Sequence, residues 1–102
     1  MRVEAGAVFE GDGLSAELLR VSPTPPSAVA ENRWLVRLEP LPVDAPQVSL
    51  TMPDHGHGAP PGGAVLRDDG FELSIRLTMP GYWEVRLETA DGVVVFPICA
   101  EP

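Results

Sequence analysis

Both histidines of the chain, His55 and His57, lie in "TMPDHGHGAPPGG" (Thr51 to Gly63), with a single glycine between them. Imidazole binds borderline metals such as zinc and copper, and thioether sulfur is a soft ligand that favours Cu(I). Met52 stands three residues before His55, and a second Met-Pro step, at "MPG", carries Met79. Calcium-like cations want several oxygen ligands, and Asp54 is the one carboxylate in this stretch. In an extended chain, residues two apart share a face with Cα atoms roughly 6.5–7 Å apart. Two imidazoles at that spacing can converge on one ion. Gly56 and Gly58 equally let the backbone leave the extended state. The pattern therefore fits a metal site, and it also fits a solvated turn flanked by core methionines.

Strands must position these residues, because helix signals are nearly absent. In "NRWLVRLEP", Trp34, Val36 and Leu38 alternate with Arg33, Arg37 and Glu39. In "FELSIRLTM", Phe71, Leu73, Ile75, Leu77 and Met79 alternate with polar residues, and "YWEVRLET" does the same with Trp83, Val85 and Leu87. "QVSLTM" repeats the pattern with Val48, Leu50 and Met52. Period-two alternation predicts half-buried antiparallel strands with one wet face. "GLSAELLRV" reads as a further strand with Ala16, Leu18 and, if the alternation continues, Arg20 on one side, in preference to a short helix. "VVVFPI", Val93 to Ile98, is a continuous apolar run that reads as covered on both sides, with Pro97 pushing its end toward an edge or bulge.

"DDG", "MPG" and "ADG" supply turns, and the last three strands read as a meander of hairpins. The Pro-rich "SPTPPSAVAE" (Ser22 to Glu31) reads as a longer loop crossing between sheets. Six to eight short strands in about 100 residues predict one all-β domain, an immunoglobulin-like antiparallel β-sandwich, with a small barrel as the alternative. Met52 and Met79 both fall on the apolar parity of their strands. Core packing is then as natural a role for them as ligation. Trp83 has core parity and Tyr82 outward parity, so Tyr82 can border a binding surface. Cys99 reads as a small buried hydrophobe, or as a strong thiolate donor if it lies near the histidines.

The chain has 102 residues, one domain's length. Fifteen acids against seven arginines give a formal charge of −8. That charge repels phosphate backbones and argues against a nucleic-acid partner. A single cysteine forms no internal disulfide, so the core alone must hold the fold. No segment is apolar enough to span a bilayer as a helix, and "MRVEAGAVFEG" has no leader-length apolar run. Those two features fit a cytoplasmic protein or a mature form. No nucleophile elbow, phosphate loop or HExxH run appears, and an enzyme is not expected.

Three landmarks in order resemble the YtkA-like domain family, related to FixH-type proteins. They are N-x-W-x-V (Asn32, Trp34, Val36), V-x-L-x-M-P-x-H-x-H-G (Val48 to Gly58) and F-x-L-x-I-x-L-x-M-P-G-x-W-E-V-x-L (Phe71 to Leu87). The resemblance covers roughly residues 32–98. It implies an immunoglobulin-like sandwich in a periplasmic or other extracytoplasmic location, often linked to copper handling. It also implies Met52, His55, His57 and Met79 as ligands, His57 being the best match and Met52 the weakest. The functional expectation is a Cu(I) carrier or metallochaperone that hands copper to a partner protein, with zinc a second candidate metal. A metal-free accessory interaction module is the alternative.

Overall fold

The computed structural model describes residues 4–102, with the side chains of His55 and His57 outside that description. Nine strands form two antiparallel sheets: β1 (Val8–Glu10), β2 (Ser15–Ser22), β3 (Asn32–Glu39), β4 (Gln47–Met52), β5 (His57–Gly58), β6 (Gly63–Leu66), β7 (Phe71–Ile75), β8 (Gly81–Glu88) and β9 (Val93–Ala100). One sheet has the order β1-β2-β3-β7-β6 and the other β5-β4-β8-β9. The runs β2-β3-β7-β6 and β4-β8-β9 reproduce the A-B-E-D and C-F-G order of an immunoglobulin-like sandwich, with β5 at the C′ position. The count exceeds the expected six to eight because β1 has three residues and β5 two.

The alternation in the sequence becomes the core directly. Trp34, Val36 and Leu38 of β3 meet Val48, Leu50 and Met52 of β4, Trp83, Val85 and Leu87 of β8, and Val94, Phe96 and Ile98 of β9 in one buried cluster. Phe9 stacks on Phe96 with ring centroids 4.9 Å apart, and Trp34 tilts against the same ring at 5.7 Å. Each fully buried Leu or Val contributes about 1.5–3 kcal/mol from apolar burial. In β2 the register shifts between Leu18 and Arg20, so Val21 opposite Trp34 takes the inward position and Arg20 stays exposed.

Four expectations need correction. The strand drawn through Met79 stops at Ile75: its partner β3 begins at Asn32, directly opposite Ile75, and the chain beyond has no strand to pair with. Leu77 is nevertheless buried, closing the end of the core. Consequently β7 and β8 are not a hairpin but lie in different sheets, and residues 76–80 cross between them. The Pro-rich loop does not cross. It joins neighbours β2 and β3 and leans on β9, where Ala28 N donates to Glu101 O and Glu101 N donates to Pro26 O, both at 2.8 Å. Finally, β9 is an edge strand with one wet face: Val94, Phe96, Ile98 and Ala100 are buried while Val95 and Cys99 are exposed.

At the far end of β9, Asp12 and Val93 exchange backbone hydrogen bonds of 2.8 and 3.0 Å and tie the N-terminal segment to the second sheet. Gly92 permits that approach, because a Cβ there would collide with the Asp12 carbonyl oxygen. Asn32 is the one buried polar side chain among the described residues. Its Nδ2 donates to Ser27 O at 2.8 Å and Ile75 O at 3.2 Å, and its Oδ1 accepts from Ser27 N at 2.8 Å. This one amide anchors the Pro-rich loop and the last residue of β7 together. Asn32→Ala leaves those groups unpaired in the interior, and urea unfolding should show a loss of about 1–3 kcal/mol. An unchanged midpoint would mean that Asn32 anchors nothing.

Candidate functional site

The two Met-Pro steps meet at one pole of the sandwich. Met52 ends β4 with its side chain 2% exposed. Pro53–His55 follows as a single 3-10 turn, and Gly56 closes it in the left-handed region at φ 66°. The turn then returns as β5, with His57 directly opposite Met52 and Gly58 opposite Thr51. Both strands are needed to set this register. The proline starts the turn, since it needs no N–H there, and the glycine ends it.

Met79 reaches the same pole from the other sheet. It lies on the crossover between β7 and β8, half-buried against the core. Its carbonyl accepts a 2.9 Å hydrogen bond from Nε1 of the fully buried Trp83. Gly81, at φ 125°, turns the chain into β8. A Cβ on Gly81 would sit 3.1 Å from the Met52 methyl carbon Cε. The thioether arm of Met52 therefore ends beside the turn that carries Met79, two residues away in sequence.

Met79 is thus neither sealed away nor on the far side of the molecule from the histidine turn. Met52 takes the core role that its parity allowed, packed with Leu50 and Trp83. The backbone positions of His55 and His57 belong to this pole; their side-chain positions lie outside the described residues. Among the described residues no three His, Cys, Asp or Glu side chains gather as a metal cage.

Cys99 is exposed, against the expectation of a buried hydrophobe. It stands opposite Tyr82, on the outer face of the second sheet, whereas Met52 and Trp83 occupy the inner face. With the order β5-β4-β8-β9, three strand spacings of about 4.8 Å separate its strand from that of His57. The thiol belongs to a different surface from the methionines.

That outer surface has its own electrostatics. Tyr82 is 39% exposed, and its hydroxyl donates to Glu84 Oε2 at 3.3 Å. Partial desolvation first, then the charge and hydrogen bond of Glu84 and the charge of Asp54, raise the phenol above its ordinary 10.0. Sequence parity had placed Tyr82 outward. It gave no sign of what pins Met79, since the Trp83 indole bond depends on a crossover invisible in a strand pattern.

No family model, curated protein or solved structure matches this chain.

Two measurements check this geometry. Trp34 Nε1 is buried without a hydrogen-bond partner, whereas Trp83 Nε1 is satisfied by Met79. Trp34→Phe removes a bare donor, and Trp83→Phe orphans a carbonyl and frees the Met79 turn. Urea unfolding should therefore find Trp83→Phe the costlier of the two by about 1–2 kcal/mol. Equal costs would remove the indole as the turn's anchor. Tyr82 is the single tyrosine of the chain, so phenolate absorbance reports it alone. Its midpoint should lie above 10.0 and fall in Glu84→Gln. A phenol raised on folding keeps its stabilisation below the unfolded value and loses it as pH climbs through the folded one.

Proposed function

We propose that this chain is a small Cu(I)-binding carrier domain that passes the ion to a partner protein. The reading that goes with it is the one the YtkA-like resemblance implies, an extracytoplasmic location included. The observation that carries it is the meeting of the two Met-Pro steps, with Met52 Cε against Gly81 and Met79 two residues before it. His57, opposite Met52 in the β4–β5 register, brings an imidazole-bearing residue to the same few ångströms of backbone.

The proposed roles differ by residue. Met79, half-buried on a bend, is the thioether that an incoming ion meets. His57 and His55 supply nitrogen donors from the turn and from β5. Met52, packed in the core, forms the inner wall and adds its sulfur from below. Two imidazoles and soft sulfurs suit Cu(I) better than Cu(II), and zinc is the competitor that imidazole alone would favour. A site on bends, with few soft donors, suits transfer, because the ion must leave as readily as it enters. The handover needs no change in oxidation state at the protein.

Cu(I) titrated against a chromophoric competitor at neutral pH tests the assignment. His55→Ala/His57→Ala should weaken binding by at least the roughly tenfold that losing even an outer partner of a metal site costs. Met79→Leu conserves volume and removes the sulfur, and should weaken Cu(I) binding while leaving the apo melting midpoint nearly unchanged. Met52→Leu should have the smaller effect. Because protons compete for imidazole, affinity should fall below about pH 6 in the parent and not in the double alanine variant. Bound Cu(I) at a hundred times its Kd should raise stability by about 2.7 kcal/mol. Equal, weak binding by all variants would end the copper reading.

A further inference from the structure

The pole opposite the methionine turns carries a feature with no part in metal binding. Residues 40–46, "PLPVDAP", join β3 to β4 and contain three prolines in seven positions. Each proline fixes φ near −65°, so this connection has little freedom. It holds Leu41 at 66% and Val43 at 101% exposure, although neither strand alternation nor the core has any use for them there. Between this loop and the β8–β9 hairpin lies a notch of about 380 Å³, lined by Pro42, Val43, Ala45 and Ala90 with Asp44, Glu88 and Asp91. That volume lies within the range of ligand-binding clefts.

Its walls mix those apolar side chains with the neutral polar Gln47 and Thr89, and its ionisable groups are all acidic. Arg86 partly answers Glu88, at 3.6 Å, but Arg86 itself is not part of the lining. Asp44 and Asp91 enter no ion pair among the described residues. Apolar side chains displayed on a stiff loop beside uncompensated carboxylates match one kind of surface. It has aliphatic residues to cover Val43 and the prolines, and cations to meet the two aspartates. The rigid loop also lowers the ordering cost of association. A nucleic acid fails the charge requirement, and a neutral apolar peptide leaves the carboxylates unanswered.

The geometry points to this notch as a docking site for a protein segment that alternates aliphatic residues with arginine or lysine. It is independent of the copper reading, because the notch lies at the Gln47–Glu88 end of the sheet and the methionines at the Met52–Gly81 end.

The test is a backbone-amide NMR titration of the whole chain with three tetrapeptides, Leu-Arg-Leu-Arg, Leu-Gln-Leu-Gln and Leu-Glu-Leu-Glu, all end-blocked. The arginine peptide should shift amides of residues 41–47 and 88–91 in a saturable way. It should bind about fivefold or more tightly than the glutamine peptide, as two surface charge pairs allow. Asp44→Asn/Asp91→Asn preserves shape and should erase that preference, and Val43→Ser should weaken both peptides. Shifts spread over the outer face around Glu84 and Glu101, equal affinity for all three peptides, or no saturable shift would each overturn the assignment.

Discussion

A hydrogen bond from the Trp83 indole to the Met79 carbonyl holds the last of the three points where the chain passes from one sheet to the other. The donor is fully buried, so breaking the bond would strand an N–H in an apolar core. Pro80 and the left-handed Gly81 follow at once and aim β8 back along β4. With that direction fixed, Trp83, Val85 and Leu87 face Trp34 across the core, with Phe96 beside Val85 in their own sheet, and Met52 extends its methyl to Gly81. The site geometry and the sheet-to-sheet packing thus share one fastening. A Met79 on a freely swinging bend would have no fixed relation to the β4–β5 turn.

The same dependence explains what the amino-acid sequence revealed and what it hid. Inward parity was readable at Trp34, Val36, Leu38, Val48, Leu50, Met52, Trp83, Val85 and Leu87, because a half-buried strand writes its burial at every second residue. Pairing was less readable. Leu77 keeps the parity of β7 and is buried, yet it belongs to no strand, since apolar patterning records what faces the core and not which backbone groups are bonded. The run Val93 to Ile98 misled for the opposite reason: Val95 is apolar and points to solvent. At the site, the proximity of two Met-Pro steps could be guessed from their shared position at strand ends. The Trp83 bond and the distance from Met52 to Gly81 could not, because both depend on a tertiary crossover. The notch leaves no mark in the sequence, because Leu41 and Val43 sit in a proline-spaced segment without periodicity.

The charge distribution follows the sheets. Arg20, Arg33 and Arg67 lie around Glu72 on the outer face of the first sheet, and the hydrogen bond from Arg67 at 2.9 Å leads in lowering that carboxyl below its ordinary value. Exposed ion pairs of this kind, like Arg37 with Glu17, contribute little to stability. They do neutralise their own face. Among the described residues, the outer face of the second sheet sets Arg86 against Glu84, Glu88 and Glu101, with Asp54 near enough to act on Tyr82, so much of the excess negative charge collects there and at the poles. A cation approaching either pole meets a favourable field before it meets any specific ligand.

Sandwiches often recruit partners by adding a strand to an open edge, and here the longer edges are taken up in part. Along β4, His57 and Gly58 pair with Met52 and Thr51, then Ala59 N donates to Leu50 O and Gly62 N to Val48 O, each at 3.2 Å. Along β9, Asp12 takes up Val93 at one end, Pro26 and Ala28 take up Glu101 at the other, and Pro97 between them has no N–H to offer. The remaining edges, β1 and β6, have three and four residues, too short to template a long added strand. With its edges interrupted or brief, the molecule offers its two broad faces and two poles more readily for recognition. The poles hold the bends, the exposed aliphatics of the proline loop at one end and the half-buried thioether beside the histidine turn at the other. Recognition by this fold is therefore best sought end-on, through groups that protrude from turns, and not through continuation of its sheets.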